Sequence, residues 1–113
     1  MAQITVGGIP VRIAPATLEE IISLRHVVLR EGLPREAAIF EGDHAPTSLH
    51  FAAYADGTCV GCASFHLNQW EGKPAYQLRG MATAPQFRSG GIGGEMLRLA
   101  EETLRNAGPI RQL

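Results

Sequence analysis

Four of the five residues at positions 90–94 are glycine, and they stand between a strand-like run ending near Thr83 and an amphipathic helix pattern that begins at Ile92. No other stretch restricts the fold as much. It requires a strand, a tight loop and a helix start in immediate succession. A glycine loop can bring several backbone N–H groups up to one ligand, because no Cβ stands between. The helix behind it adds first-turn N–H groups without intrahelical partners, and the positive end of its dipole. Together these groups suit a phosphate or pyrophosphate.

The flanking residues narrow the choice of ligand. A Walker A loop needs Lys-Ser/Thr after its last glycine, whereas Glu95-Met96 follows here. A dinucleotide fingerprint starting at Gly91 and Gly93 would place its third glycine at Met96, and the acidic residue expected after the next strand is missing. We therefore set nicotinamide-dinucleotide binding aside. The spacing that fits is Arg88-x-x-Gly91-x-Gly93, preceded by Gly80-Met81-Ala82-Thr83-Ala84-Pro85. It resembles the Q/R-x-x-G-x-G/A signature and strand end of the GNAT superfamily, the Gcn5-related N-acetyltransferases, with Thr83 where valine is usual. The resemblance runs over residues 11–113 and is densest over 76–107.

The resemblance implies a function and a set of roles. The chain is expected to be an acetyl-CoA-dependent N-acetyltransferase that moves the acetyl group to an amine by direct transfer in a ternary complex. Acetyl-CoA is then the cosubstrate. Its pyrophosphate is expected on Arg88, Ser89, Gly90, Gly91, Gly93 and Gly94, mostly through backbone. Its pantetheine arm would pair with backbone groups of Met81 and Thr83, and an N–H near Met81 would polarise the thioester carbonyl. The tyrosine that commonly protonates the thiolate lies, in such proteins, on a helix after the next strand, and the sequence has no counterpart. Tyr54 and Tyr76 read as strand residues. Because the family's last helix and two-strand hairpin are also missing, the alternative is a non-catalytic acyl-CoA-binding module of the same fold.

Composition bounds the remaining classes. At 113 residues, one domain covering 1–113 is expected. The 45% hydrophobic and 19% charged content is that of an ordinary soluble protein, and the net charge of -1 gives no field favouring nucleic acid or an anionic membrane. No apolar run approaches the roughly 20 residues of a membrane span. The first residues lack a basic leader, so a cytoplasmic protein is expected. Cys59 and Cys62 form C-x-x-C within a strand-like run. Residues three apart on a strand point to opposite faces, which predicts two reduced structural cysteines. The four histidines are too scattered for a metal site, and none is expected.

The expected fold class is α+β, a mixed, mostly antiparallel sheet flanked by helices in the order β-α-α-β-β-β-α-β. Strands are expected at 11–14, 49–55, 59–67, 75–83 and 110–113. Thr17-Leu18-Glu19-Glu20 is a capping box that opens the first helix, and residues 36–40 look like a short second one. Asp56-Gly57 marks a hairpin. The helix over 92–107 carries Ile92, Met96, Leu97, Ala100 and Leu104 on its apolar stripe, and Gly108-Pro109 stops it. Candidate bases for the amine are Glu41, Asp43, His44, His66 and Glu71, the first three because the loop after the second short helix often borders the acceptor in this family. The acceptor is a small-molecule or peptide amine. A strand beginning at Ile110 would lack a partner, and open edges invite association. The chain is therefore expected either to continue past Leu113 or to have that end covered in a homo-oligomer.

Overall fold

Strand alternation in this chain serves two different layers. The computed structural model describes residues 2–107, and in it Val11, Ile13, Phe51, Ala53, Ala63 and Phe65 share one buried face of a sheet. Ala52, Cys62 and Ala82 lie on the other. The sheet has five strands in chain order: β1 (Ala2–Val6), β2 (Ile9–Pro15), β3 (Leu49–Ala55), β4 (Thr58–Trp70) and β5 (Lys73–Thr83). Every neighbouring pair is antiparallel. Helix α1 (Leu18–Leu29) joins β2 to β3 and packs on the second face, and helix α2 (Ile92–Ala107) follows β5 and packs on the first.

The α+β architecture expected from the sequence is present, with differences that have local causes. A β1–β2 hairpin precedes α1, where one strand over 11–14 was expected. Its turn is Gly7-Gly8, both at positive φ, a conformation glycine adopts without a steric penalty. The expected second helix over 36–40 is a single 3-10 turn, Arg35–Ala38. It ends because Phe40 donates its N–H to the Asp43 carboxylate (2.6 Å) instead of continuing the turn. The predicted strand over 110–113 and the Gly108-Pro109 stop lie outside the described residues.

Other signals translate directly. Asp56 and Gly57 adopt φ of 51° and 76° between β3 and β4, and Glu71 and Gly72 repeat this between β4 and β5. The Thr17 hydroxyl accepts the Glu20 N–H, and Glu20 returns a bond from the Thr17 N–H. Ile92, Met96, Leu99, Ala100 and Leu104 are buried on α2; Leu99 joins the expected stripe and Leu97 stands at its margin.

Two bulges adjust the sheet. Between Ala53 and Tyr54 the register skips Val60, so Cys59 pairs with Tyr54 and Gly61 with Ala53. That extra residue turns Cys59 and Cys62 to the same face, against the α1 cluster, and corrects the expectation that they diverge. Burial raises both thiols, Cys62 to about 12, which leaves them protonated at neutral pH. The second bulge skips Arg79 on β5, between the Ser64–Gly80 and Phe65–Leu78 pairs.

The capping box sets a first test. Thr17→Ala removes the bond to the Glu20 amide and should lower stability by about 1 kcal/mol in urea unfolding. No change in the midpoint would contradict the assigned cap.

Candidate functional site

The junction after β5 is anchored at both ends. The Ala84 N–H donates to Val60 O (2.8 Å), which continues the pairing of β5 with β4 for one more residue. Pro85–Phe87 then forms a 3-10 turn, with Phe87 buried among the α2-side residues. Arg88 folds back, and its Nε donates to the Thr83 carbonyl (3.2 Å), closing the turn across its mouth. Ser89 adopts φ of 65° and Gly91 φ of 88°. Left-handed residues placed close together turn successive N–H groups toward one side, the arrangement of an anion nest. A non-glycine residue in this region is strained and persists only where its surroundings hold it.

Helix α2 begins with the Glu95 N–H donating to Gly91 O (3.1 Å). The amides from Ser89 to Gly94 make no well-formed hydrogen bond to a backbone carbonyl among the described residues. They form one run from the loop into the first helical turn, at the positive end of the dipole.

The four glycines divide into two roles. A Cβ added at Gly91 or Gly94 would meet no atom within 4 Å. A Cβ at Gly90 would lie 2.5 Å from Val6 Cγ1, and one at Gly93 3.0 Å from Met81 Sδ. Gly90 and Gly93 thus allow close packing, and Gly91 and Gly94 face open space. Helix docking uses a further glycine: a Cβ at Gly61 on β4 would lie 2.9 Å from Ile92 Cγ2. Arg88 and Ser89 are exposed, and Met81 and Thr83 are partly exposed on β5. β5 is the edge of the described sheet, so no described strand pairs with its outer side.

A buried polar cluster lies on the α1 face. Arg25 of α1 is fully buried. It donates to Ala38 O (2.9 Å), to Asp43 Oδ2 (2.5 Å) and to the Ser64 hydroxyl. Its guanidinium stacks on Phe40, 4.3 Å from the ring centre. Arg25 Nε is the one buried side-chain polar atom without a partner among the described residues, and it stands 3.6 Å from where a Gly80 Cβ would be. Asp43 Oδ2 also accepts the Phe40 N–H, which leaves Oδ1 for His66 Nε2 (2.8 Å).

These partners fix the proton positions. Burial alone would raise the Asp43 pKa, but bonds from Arg25, the Phe40 amide and His66 outweigh it and hold the carboxyl below its ordinary value. An ionised Asp43 makes His66 Nε2 the donor, so in the neutral ring Nδ1 carries the free lone pair. His50 Nε2 faces the Asp43 carbonyl (3.0 Å) and must donate to it; Nδ1 then accepts from the Ser64 hydroxyl (2.7 Å). Burial lowers the His50 pKa, in keeping with a neutral ring.

Of the candidate bases, the structure brings together Asp43 and His66. Glu41 and His44 are exposed on the same loop, and Glu71 is exposed at the β4–β5 turn. Arg25, His50 and Ser64 escaped the sequence-based selection; an arginine seven residues after the Leu18 start of an apolar stripe was the available signal. Among the described residues no group of three or more His, Cys, Asp or Glu is placed to hold a metal, and no helix is long and apolar enough to cross a membrane.

The Acetyltransferase (GNAT) family matches residues 16–113. The chain belongs to the GNAT family. It is 33% identical over 98 residues to YitI, an uncharacterized N-acetyltransferase of Bacillus subtilis (strain 168), covering 81% of this chain and 64% of that protein. The chain thus spans less than two thirds of that relative's length. Among solved structures it is similar to the aminoglycoside N-acetyltransferase AAC(6')-Iy in complex with CoA, with a TM-score of 0.72 and 23% identity over 99% of this chain and 76% of the other. It is also similar to a GNAT acetyltransferase from Brucella melitensis in complex with acetyl-CoA, with a TM-score of 0.69 and 23% identity over 87% and 70% of the two chains. Both likenesses establish the fold.

The cluster carries a pH dependence. Asp43 and His50 both titrate lower folded than unfolded, so the unfolded chain binds more protons on acidification. Stability is therefore full above the unfolded histidine value of about 6.5, declines below it as His50 resists charging, and declines again below about 4 through Asp43. In urea unfolding from pH 8 to 3, His50→Gln should flatten the first decline and leave the second. Wild-type stability that stays level down to pH 5 would contradict this assignment.

Proposed function

We propose that this GNAT chain binds acetyl-CoA and transfers its acetyl group to an amine by direct attack within a ternary complex. The observation that carries the proposal is the run of unpaired amides from Ser89 to Gly94, opening on the space left by Gly91 and Gly94. That donor set fits a pyrophosphate: backbone N–H groups converge, a helix dipole points at them, and Arg88 stands exposed beside them. Solved structures of similar fold in complex with CoA and acetyl-CoA support this choice of cosubstrate. Bound there, acetyl-CoA supplies the activated acyl group. The edge of β5 around Met81 and Thr83 receives the pantetheine arm, and an N–H near Met81 stabilises charge on the thioester oxygen.

The amine must lose a proton to attack. In our reading His66 takes it at Nδ1. Asp43 holds the ring through Nε2, and Arg25 and the Phe40 amide hold Asp43. Ala63 is the partner of Met81, and His66 lies three residues further along β4, about 10 Å at strand rise. The acceptor amine and an intervening water span that distance. With both carboxylate oxygens engaged, Asp43 serves as the orienting group, and Glu41 and His44 border the acceptor at the loop surface.

Purified protein with acetyl-CoA and a panel of amines, followed by CoA release, tests the reaction. Calorimetric titration with CoA tests the site. Gly94→Val should hold or raise thermal stability, because glycine is a poor helix former, yet weaken CoA at least tenfold by filling the open space. His66→Ala should keep CoA affinity and lower kcat about 100-fold. CoA binding without turnover on any amine would favour the non-catalytic acyl-CoA-binding module. Absence of CoA binding would refute both readings.

A further inference from the structure

The first strand lies outside the family match, which starts at residue 16, yet it reaches the glycine loop. Val6 is the last residue of β1 and pairs with Ile9 across the Gly7-Gly8 turn. It is half-buried and packs against the α2-side core. A Cβ at Gly90 would lie 2.5, 2.8 and 3.2 Å from Val6 Cγ1, Cγ2 and Cβ. No other glycine described in the chain approaches a neighbour so closely. The contact is between the loop's backbone and a β-branched side chain, whose χ1 is stiff and gives little by rotation.

We infer that Val6 is a positioning residue for the pyrophosphate loop, the seat that keeps its amides turned outward. This rests on the proposal that the loop binds CoA. The loop needs such a seat because Ser89 sits at φ of 65° immediately before Gly90 and Gly91, two glycines free to adopt other conformations. Strain of this kind persists only where surrounding contacts leave the chain no better choice. From the front, Arg88 closes the turn onto Thr83 O. From behind, Val6 fills the space into which Gly90 would retreat if Ser89 relaxed. Gly90 must lack a side chain for the loop to settle on Val6, so its glycine serves the seat, whereas Gly91 and Gly94 serve the ligand.

A double-mutant cycle separates these roles. CoA and pantetheine, which lacks the pyrophosphate, are titrated calorimetrically against the wild type, Val6→Ala, Gly90→Ala and the double variant. Gly90→Ala should weaken CoA at least tenfold and Val6→Ala severalfold, both with pantetheine unchanged. The double variant should recover CoA affinity to within about threefold of wild type, because the new methyl occupies the space vacated by valine. Val6→Thr, which keeps the branched shape, should bind as wild type. Ser89 φ, read from the HN–Hα coupling and Cα and Cβ shifts of the unliganded protein, should leave the positive region in Val6→Ala. A double variant no better than Gly90→Ala, or a Val6→Ala protein with wild-type affinity and Ser89 φ, would overturn the inference. Wild-type protein that binds no CoA would instead refute the cofactor assignment, while the Ser89 measurement would still report whether Val6 seats the loop.

Discussion

Backbone amides that cannot reach a carbonyl must find another acceptor, and here they accumulate in one place. The run from Ser89 to Gly94 joins a loop whose φ angles turn N–H groups outward to a helix start that cannot satisfy its own. Much of the fold serves to hold that run. Ala84 ties the end of β5 to the bulged residue Val60, Gly61 lets Ile92 dock α2 on the sheet, Phe87 anchors the intervening turn, and the Val6 side chain packs against Gly90. In the function proposed here, the sheet and α2 build the site out of main chain, and side-chain identity matters chiefly where a side chain must be missing.

The opposite face of the sheet is organised by charge. A fully buried guanidinium is tolerable only with partners, and Arg25 has an ionised Asp43, a carbonyl, a hydroxyl and the face of Phe40. Together with the His50 bonds to Ser64 and Asp43, these contacts bind α1, the loop between residues 39 and 48, β3 and β4 into one unit. Removing either Arg25 or Asp43 leaves an uncompensated charge in the interior, which costs about 3 to 5 kcal/mol. The arrangement also assigns protons: an anionic Asp43 directs a proton to Nε2 of His66, and the carbonyl of the same residue does so for His50. One loop residue thereby sets the tautomers of two histidines.

The parts of this account legible in the sequence are those with local causes. The capping box at Thr17, the Asp56-Gly57 turn and the junction from β5 to α2 each depend on residues close together in the chain. The β1–β2 hairpin has a local signal too, Gly7-Gly8 between alternating residues. Other features depend on distant partners. Arg25 reads as a polar break in the α1 stripe until Asp43 and Ser64, 18 and 39 residues away, are seen to meet it. The bulge at Val60 that turns Cys59 and Cys62 to one face has no mark in a strand-like run. The four loop glycines look equivalent in sequence; only the positions of Val6 and Met81 divide them into packing and open positions.

The most direct test of the central claim is amide NMR of 15N-labelled protein during titration with CoA and, separately, with pantetheine. The account predicts that CoA moves the Ser89–Gly94 amide resonances in a saturable way. Pantetheine should shift residues near Met81 and Thr83 and leave the loop resonances in place. Saturable CoA binding that left the Ser89–Gly94 amides unmoved would contradict it.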